Sequence, residues 1–242
     1  MKIIKYERSK KNKYKVYLED GEFVELYEDI ILKHELLFKK NITDIEKIKK
    51  ENDDYKLYIK TLEYINKRIR CESEIRIYLK KYTSDSNLID EIVKKLYDKK
   101  LLDDALYIKS YINDKINFTN DGPIKIKKNL TDLEIDTFLI DDLLLIFDEK
   151  LELERIENYV NKNLKTNKKS LYLFKQKMFI NLVNLGYNRD TIMSFLDKIN
   201  FSESNLKEKE EDKLRKKYSK KYEGKELDYF IKRKLYEKGF RD

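Results

Sequence analysis

The spacing of apolar residues changes near residue 28 of this chain. Before that point, three short runs at 2–7, 14–18 and 22–26 are rich in isoleucine, valine, tyrosine and phenylalanine, which favour strands. Asp20-Gly21 separates the last two runs, and it favours a hairpin because glycine readily adopts the positive φ of a tight turn. The pattern therefore predicts a small three-stranded antiparallel unit.

From residue 28 onward apolar residues recur every three to four positions, a spacing typical of helices. Residues 1–40 are predicted to hold the strand unit and one short helix. Residues 41–54 are predicted to form a connecting helix, for which Thr43 is a candidate N-cap.

From residue 55 the helical pattern repeats. Leu57-Tyr58-Ile59-Lys60 returns 49 residues later as Leu106-Tyr107-Ile108-Lys109. A second series consists of predicted helix ends, such as Leu182…Gly186-Tyr187 and Leu235…Gly239-Phe240. Glycine can take the left-handed conformation that ends a helix, and the aromatic residue then folds back on the last turn. Related ends after Leu79 and Leu130 give successive spacings of 51, 52 and 53 residues.

A period near 50 residues with three helical stretches per unit predicts tandem three-helix repeats. The predicted fold is mainly α, an elongated array of repeats with a small N-terminal β-rich unit. The predicted repeats are 55–102, 103–148 and 149–203, followed by a partial fourth at 204–242 with room for two helices. Their predicted helices are 55–69, 71–82, 86–100, 103–117, 122–133, 136–148, 149–164, 170–185 and 188–199.

The composition excludes most kinds of catalytic and metal site. The chain has one cysteine, Cys71, and one histidine, His34. An internal disulfide, a multi-cysteine zinc site and a two-histidine metal site are therefore excluded, and a Ser–His–Asp triad would have to use His34. The five glycines include no pair with the spacing of a P-loop or a G-x-G-x-x-G turn. We therefore expect no catalytic, cofactor or metal site, and no enzymatic activity.

The chain shows no sequence signal for a membrane. No apolar run approaches the roughly 18 residues of a membrane span. The first residues also lack an apolar stretch long enough for a signal peptide. We therefore expect a cytoplasmic protein without a membrane partner.

Charge is distributed unevenly along the chain. The total of 54 basic and 46 acidic residues gives a net charge of +8, which permits a polyanionic partner without requiring one. Residues 132–157 hold ten acids against two bases, whereas residues 205–242 hold 14 bases against nine acids. Because carboxylates repel phosphates, we expect 132–157 to face away from DNA, toward solvent or a basic surface of a protein partner.

Two acidic motifs lie at predicted helix starts. In Cys71-Glu72-Ser73-Glu74, Cys71 stands at the N-cap and Glu74 at the third helical position, as in a capping box with a poor capping residue. In Leu102-Asp103-Asp104, adjacent carboxylates would suit acid–base chemistry or Mg²⁺ binding. The stronger interpretation is structural, with Asp103 as an N-cap and Asp104 in the first turn.

The string Gly122-Pro123-Ile124-Lys125-Ile126 is the most specific motif. Pro123 suits a first helical position, and Gly122 lets the chain turn sharply before it. Lys125 and Lys128 are expected to be exposed on one helix face. This helix N-terminus is also a candidate phosphate site.

Three strings together resemble the RecX family of RecA regulators, over roughly residues 55–200. They are Glu74-Ile75-Arg76-Ile77-Tyr78-Leu79, Leu102-Asp103-Asp104 with Tyr107, and Gly122-Pro123-Ile124-Lys125-Ile126 with Leu130. Their order and spacing also agree with the family pattern. The chain departs from that pattern at Cys71, where Ser or Thr is usual, at Ile108, where Ala is usual, and at Glu134, where Gly is usual. The N-terminal unit resembles an extension found in some Gram-positive members.

The resemblance implies a non-enzymatic modulator of RecA that acts in DNA repair, recombination and the SOS response, and we expect it to be a monomer. Family members bind RecA and lie along the groove of the RecA–DNA filament, limiting its recombinase, ATPase and co-protease activities. We expect the basic faces of the first two repeats to contact the filament, through Arg70, Arg76, Lys80, Lys81, Lys125, Lys127 and Lys128. Weak direct binding of single- or double-stranded DNA is a further expectation. The residues alone leave open a stand-alone nucleic-acid-binding protein, in which some of the 19 tyrosines and 11 phenylalanines stack on bases.

Overall fold

The structure, a computed structural model, describes residues 1–10 and 12–241. It divides the chain into two compact units, Met1–Tyr107 and Ile108–Asp242. Thirteen helices and three strands lie within the described residues. The chain is thus mainly α with a small N-terminal β unit, as the apolar spacing predicts.

The N-terminal strands form one antiparallel sheet in the order β1-β2-β3. The strands are β1 (Ile3–Lys10), β2 (Lys13–Leu18) and β3 (Phe23–Tyr27). The predicted hairpin at Asp20-Gly21 is confirmed, with Gly21 at φ +89°. Val16, Leu18 and Leu26 are buried, because alternate residues of each strand point toward the same core.

Five helices complete the first unit, and a sixth begins within it. They are α1 (Glu28–Lys33), α2 (Leu36–Lys39), α3 (Ile45–Ile65), α4 (Glu72–Leu79), α5 (Ser86–Asp98) and α6 (Asp104–Phe118). Buried residues of the sheet, α1, α2 and the start of α3 form one core cluster. Residues of α3, α4 and α5 with Leu102 form a second.

The start of α3 differs from the prediction. The sequence predicts a connecting helix within 41–54 and a separate helix from residue 55, but α3 is continuous from Ile45 to Ile65. Its N-cap is Asp44, whose carboxylate accepts a hydrogen bond from the Lys47 backbone N–H, and not Thr43. The stretch contains neither glycine nor proline, so nothing interrupts the helical hydrogen bonds between its two predicted halves.

Seven further helices lie in the second unit. They are α7 (Pro123–Thr131), α8 (Thr137–Leu144), α9 (Glu149–Leu164), α10 (Leu171–Leu185), α11 (Arg189–Lys198), α12 (Glu203–Tyr218) and α13 (Gly224–Glu237). The helices α4 to α11 begin and end within four residues of the predicted ranges, and residues 204–242 hold the expected two helices. How these helices group into three-helix repeats stays a prediction.

Two of the predicted helix ends have the expected geometry. Gly186 ends α10 at φ +86°, and the Tyr187 N–H donates to the Leu182 carbonyl at 3.1 Å. Gly239 ends α13 in the same way, with the Phe240 N–H donating to the Leu235 carbonyl at 3.1 Å. Both aromatic rings are buried. They therefore fold back on the last helical turn, as predicted.

The other two helix ends depart from this pattern. After α7, the left-handed position is filled by Glu134, at φ +57°. After α4, the C-cap Lys80 is in the right-handed helical conformation, and the chain continues in tight turns to Thr83. The glycine-based pattern thus applies to α10 and α13, whose sequences contain the glycine.

No helix in the described part of the chain is long and apolar enough to cross a membrane.

Candidate partner-binding surfaces

Arg70 and Arg76 are engaged within the first unit. The Arg70 guanidinium lies 3.9 Å from the centre of the Tyr64 ring and 3.3 Å from the Glu74 carboxylate. Arg76 bonds to Asp90 and to Glu72, each at 2.6 Å, and these two carboxylates raise the pKa of its guanidinium. Both arginines therefore hold α4 against its neighbours, and a phosphate group would have to displace these contacts in order to bind either guanidinium.

Lys80 and Lys81 are available to a partner. Both are exposed at the end of α4, and neither forms an ion pair with any residue that the structure describes. Tyr82 follows them and is also exposed, with the Lys60 ammonium 4.5 Å from its ring centre. The sequence gives no signal for this contact, because Lys60 lies on α3 and only the turn after α4 places the Tyr82 ring beside it.

Tyr82 continues a stack of aromatic rings. Tyr64 and Tyr78 lie parallel with ring centres 4.0 Å apart, and Tyr78 meets Tyr82 edge-on at 5.2 Å. Burial, with a hydrogen bond to Tyr82, raises the pKa of Tyr78 to about 12. The rings support a surface of the exposed Lys80, Lys81 and Tyr82 and the half-buried Lys60, which we call the α4 surface.

The lysines of α7 differ in their surroundings. Lys125 bonds to Asp121 at 2.7 Å and Lys127 to Asp141 at 2.5 Å, and both are half-buried. Lys128 is exposed and has no ion pair within residues 1–10 or 12–241. The prediction that Lys125 and Lys128 are both exposed is therefore confirmed for Lys128, whereas Lys125 is tied to the carboxylate before its own helix.

Asp121 is a buried carboxylate between two lysines. Lys115 lies 2.9 Å and Lys125 2.7 Å from its oxygens. Burial opposes ionisation, but hydrogen bonds from these lysines hold the pKa of Asp121 below its ordinary value. A buried carboxylate can stay charged only with such partners.

The start of α7 is occupied by the chain itself. The Gly122 N–H donates to the Leu185 carbonyl at 2.7 Å, and the Ile124 N–H donates to the Gly186 carbonyl at 3.0 Å. Pro123 has no N–H to offer. With two of its first donors used and Asp121 beside them, this helix start is not open to phosphate, and the phosphate-site hypothesis is wrong. The end of α10 takes the place that a phosphate would need.

The paired carboxylates at 103–104 have separate structural roles. Asp103 caps α6 by accepting from the Leu106 N–H at 2.9 Å. Asp104 accepts from the Glu72 N–H at 3.0 Å and so caps α4 from the first turn of α6. No group of three His, Cys, Asp or Glu residues in the described part of the chain could hold a metal ion.

Asp104 replaces the capping box predicted at Cys71. Cys71 stands at the N-cap of α4, but its side chain makes no capping hydrogen bond. The thiol is buried, and burial raises its pKa. Glu74 does not reach back to the helix start and instead bonds to Arg68 and Arg70. The predicted helix start is correct, and the capping group is different.

The remaining motif residues lie in the cores. Leu79, Tyr107 and Leu130 are buried, and Tyr187 is almost completely buried beneath the end of α10. Pro123 occupies the start of α7. The family strings are thus used for capping and packing.

Most of the acidic stretch 132–157 is exposed. Nine of its ten acids and one of its two bases, Lys150, face solvent. Glu152 is buried and accepts from the Asn188 N–H at 2.8 Å, at the start of α11. Arg155 donates to the Ile116 carbonyl and, at 2.7 Å, to the Thr119 carbonyl. These two charged residues therefore join helices instead of facing solvent or a partner.

Sequence analysis missed Glu152 and Arg155 as structural residues. A signal for Glu152 exists, because it lies four and eight positions before Ile156 and Val160, which are the buried face of α9. Arg155 has no such signal, since its partners are carbonyls at the end of α6, some 40 residues earlier.

Comparison with known proteins gives one consistent result. A protein named Regulatory protein RecX from Halalkalibacterium halodurans is 28% identical over 258 residues, which cover 98% of this chain and 95% of that protein. One of the same name from Bacillus mycoides is 26% identical, covering 98% and 92%. One from Listeria monocytogenes serotype 4a is 28% identical, covering 78% and 72%. No family model matches the chain.

Two solved structures also match. A structure described as "Crystal structure of regulatory protein RecX" has a TM-score of 0.71 at 27% identity, covering 81% of this chain and 99% of that one. RecX from Lactobacillus salivarius has a TM-score of 0.57 at 28% identity, covering 62% and 99%. The resemblance inferred from the three strings is confirmed, and so is the fold class.

Proposed function

We propose that this chain, a homologue of RecX regulatory proteins over nearly its whole length, is a non-enzymatic negative regulator of RecA in the cytoplasm. It binds RecA and the groove of the RecA–single-stranded DNA filament, and there it limits recombinase, ATPase and co-protease activity. The observation that carries the proposal is the match to Regulatory protein RecX across 98% of the chain. The relatives' name supports a regulatory role, and RecA as the target follows from the family resemblance.

The positions of the family strings support a binding protein. Asp103 and Asp104 cap two helices, and Gly122 gives its N–H to the end of α10. Residues that hold helices in place define the shape of a surface without reacting with a substrate. Such a role suits a protein that acts by occupying its partner.

The contacts of the seven predicted basic residues divide them into two groups. We propose that Lys80, Lys81 and Lys128 contact the filament directly, because they are exposed and without an ion pair to any described residue. The others, Arg70, Arg76, Lys125 and Lys127, are paired within the chain. They act mainly by positioning α4 and α7, since each would have to give up an ion pair to bind phosphate.

The test is the single-stranded-DNA-dependent ATPase of the cognate RecA, titrated with this protein. Wild type is expected to suppress the rate, and Lys80→Gln/Lys81→Gln to suppress it less. Lys94→Gln/Lys100→Gln removes two other exposed lysines of the same unit and is expected to act like wild type. An ATPase that wild type leaves unchanged, together with absent RecA binding in a pull-down, would reject the proposed function.

A stand-alone nucleic-acid-binding protein is the second candidate, and the α4 surface favours it. An exposed tyrosine beside unpaired lysines can stack on a base while the ammonium groups neutralise phosphate. Binding to DNA alone weakens steeply with salt, because bound phosphates release counterions. Affinity for bare single-stranded DNA that equals affinity for the RecA filament, with the same salt dependence, would favour this candidate.

A further inference from the structure

The outward face of α8 and the two residues that follow it carry large apolar side chains that the second unit does not cover. Phe138 is 86% exposed, Leu145 75% and Ile146 58%. Phe138 and Leu145 are seven positions apart, so they lie on the same side of the helix, with Asp141 and Asp142 between them. Three large apolar side chains on one short surface are characteristic of an interaction site rather than of a solvated face.

A groove adjoins these side chains. It has a volume of about 300 Å³ and lies between α6 and α8. Its walls are Lys109, Ile112, Asn113, Asp142, Leu143 and Ile146. The exposed side chains are thus continuous with a partly apolar depression that could receive a side chain from another molecule.

The charges around this site are mainly negative, and the exposed Lys109 is the one basic residue that lines the groove. Asp142 is exposed within it, and Asp148 and Glu149 are exposed at the start of α9, directly after Ile146. Asp141 is neutralised by Lys127 at 2.5 Å. Across residues 132–157, nine exposed acids stand against one exposed base. A phosphate backbone is repelled from such a surface, and a Lys- or Arg-bearing surface is attracted to it.

We propose that Phe138, Asp142, Leu145 and Ile146, the α8 face, form a docking surface for a protein segment that presents apolar side chains flanked by Lys or Arg. The inference rests on the proposed function, because it takes the segment to belong to RecA. Apolar side chains of the partner cover Phe138 and Leu145 and enter the groove beside Ile146. Its basic residues face Asp142 and the acids at the start of α9. The α8 face thus binds protein, and contact with DNA is left to the exposed lysines of α4 and α7.

The test compares three variants with wild type in binding to purified cognate RecA without DNA, at low and at moderate salt. Phe138→Ser/Leu145→Ser removes the two most exposed apolar side chains and is expected to weaken binding at least about tenfold. Asp142→Lys reverses the charge and is expected to weaken it more at low than at moderate salt. Phe118→Ser is the matched control, because Phe118 is 82% exposed at the end of α6 and is outside the groove lining.

The possible outcomes distinguish a failure of the α8 face as a docking surface from a failure of the proposed RecA regulation. Wild type that fails to bind RecA overturns both proposals. Wild type that binds RecA, with Phe138→Ser/Leu145→Ser binding as tightly, overturns the α8 face alone. An equal loss in Phe118→Ser, or self-association of wild type that the double variant abolishes, also overturns it. Because Asp142→Lys leaves the apolar side chains in place, it gives a second result if the double variant folds poorly. Bare-DNA affinity that does not fall in either α8 variant supports the assignment to protein, and in Asp142→Lys it is expected to stay equal or rise because a carboxylate that repels phosphate is replaced by an ammonium group.

Discussion

Gly122 and Gly186 approach so closely that a Cβ atom on Gly122 would lie 2.5 Å from the carbonyl oxygen of Gly186. Two hydrogen bonds from the start of α7 to the end of α10 hold this contact. The glycine of the most specific sequence motif is therefore required by the backbone at the end of another helix, and not by the conformation of its own turn as the sequence suggested. Gly122 is not in the left-handed region, with φ at −89°.

We expect Gly122→Ala to destabilise the protein by about 3 kcal/mol, since a backbone carbonyl cannot move aside as a flexible side chain can. Urea unfolding followed by circular dichroism measures the change. Gly224→Ala is the control, because no atom lies within 4 Å of the added Cβ and only the positive φ of +54° is strained. Its cost is expected to be about 1 kcal/mol. Equal costs for the two variants would contradict the role of close packing at Gly122.

Glu134 offers a stabilising change. It ends α7 in the left-handed conformation, at φ +57°, where a side chain with a Cβ is strained and glycine is not. We expect Glu134→Gly to raise the free energy of unfolding by about 1 kcal/mol, or Tm by about 3 °C for a chain of this size. Thermal unfolding followed by circular dichroism measures the shift.

The control for Glu134 lies two residues earlier. Asp132 is in the right-handed helical conformation, at φ −63°, so glycine there only adds freedom to the unfolded chain. Asp132→Gly is expected to lower stability. A Glu134→Gly variant that loses stability as Asp132→Gly does would show that the left-handed strain is not the dominant effect.

Local pattern was enough to predict most of the fold. Helix positions follow from the spacing of apolar residues, and the ends at Gly186 and Gly239 follow from glycine before an aromatic residue. The start of α3 was misplaced because the repeat that contains Leu57-Tyr58-Ile59-Lys60 suggested a new helix from residue 55, while one helix runs from Ile45 to Ile65. Capping of α4 by Asp104 was hidden, since the two residues are 32 positions apart along the chain.

Charged residues were harder to place than apolar ones. A lysine looks the same in the sequence whether a carboxylate lies beside it or not, so Lys125 and Lys128 could not be distinguished. The pair Lys125–Asp121 is four residues apart and could have been considered, but Lys127–Asp141 depends on how α7 meets α8. The exposure of Phe138 and Leu145 was equally hidden, because apolar residues on a helix predict burial by default.

The ion pairs of Asp121 predict a pH dependence of stability. Its pKa is lower in the folded protein than in the unfolded chain, so the pairs stabilise the fold fully above the unfolded value near 4. The contribution is lost as the pH falls through the folded pKa, because the carboxylate is then protonated. We expect Asp121→Asn to cost roughly 2 kcal/mol at neutral pH and progressively less below pH about 3.5.

Urea unfolding of Asp121→Asn and wild type across this range measures the difference. Asp114→Asn, at an exposed position on α6, is the control and is expected to change stability by less than about 0.5 kcal/mol at any pH. A loss in Asp121→Asn that stays constant down to the lowest pH would mean that packing, rather than charge, makes Asp121 important.

Lys125 and Lys128 are expected to respond differently to charge reversal. Lys128→Glu should weaken binding to the RecA filament by about tenfold, without loss of thermal stability, because the side chain is exposed and repels phosphate after the change. Lys125→Glu should lower stability as well, since it places a carboxylate beside buried Asp121. Fluorescence anisotropy of filament binding and thermal unfolding measure the two effects. Equal filament binding by Lys128→Glu and wild type would contradict the proposal that Lys128 contacts the filament.

Neutralising the acidic stretch tests whether it faces protein or DNA. Only exposed carboxylates without an internal role are suitable for this test. Glu152 is left out because it is buried and caps α11, and Asp141 is left out because it pairs with Lys127. Replacing Asp142, Glu154 and Glu157, which are exposed, with amides removes three negative charges. We expect affinity for bare single-stranded DNA to stay equal or rise, because fewer carboxylates repel phosphate. Affinity for RecA should fall, because a basic partner surface loses its complement.

The matched control removes the same charge from the other unit. Glu28→Gln, Glu63→Gln and Asp98→Asn alter three exposed acids of the first unit and raise the net charge equally. An equal rise of DNA affinity in both triple variants would show that net charge explains the effect on DNA. A fall of RecA affinity only in the variant of 132–157 would show that the position of these acids explains the effect on RecA. A loss of bare-DNA binding in the first variant, or cross-links from its stretch to DNA in the assembled complex, would reverse the proposed orientation. In that case the acids of 132–157 would have to approach phosphate with only Lys150 as an exposed counter-charge, and a bound cation would be needed to bridge them.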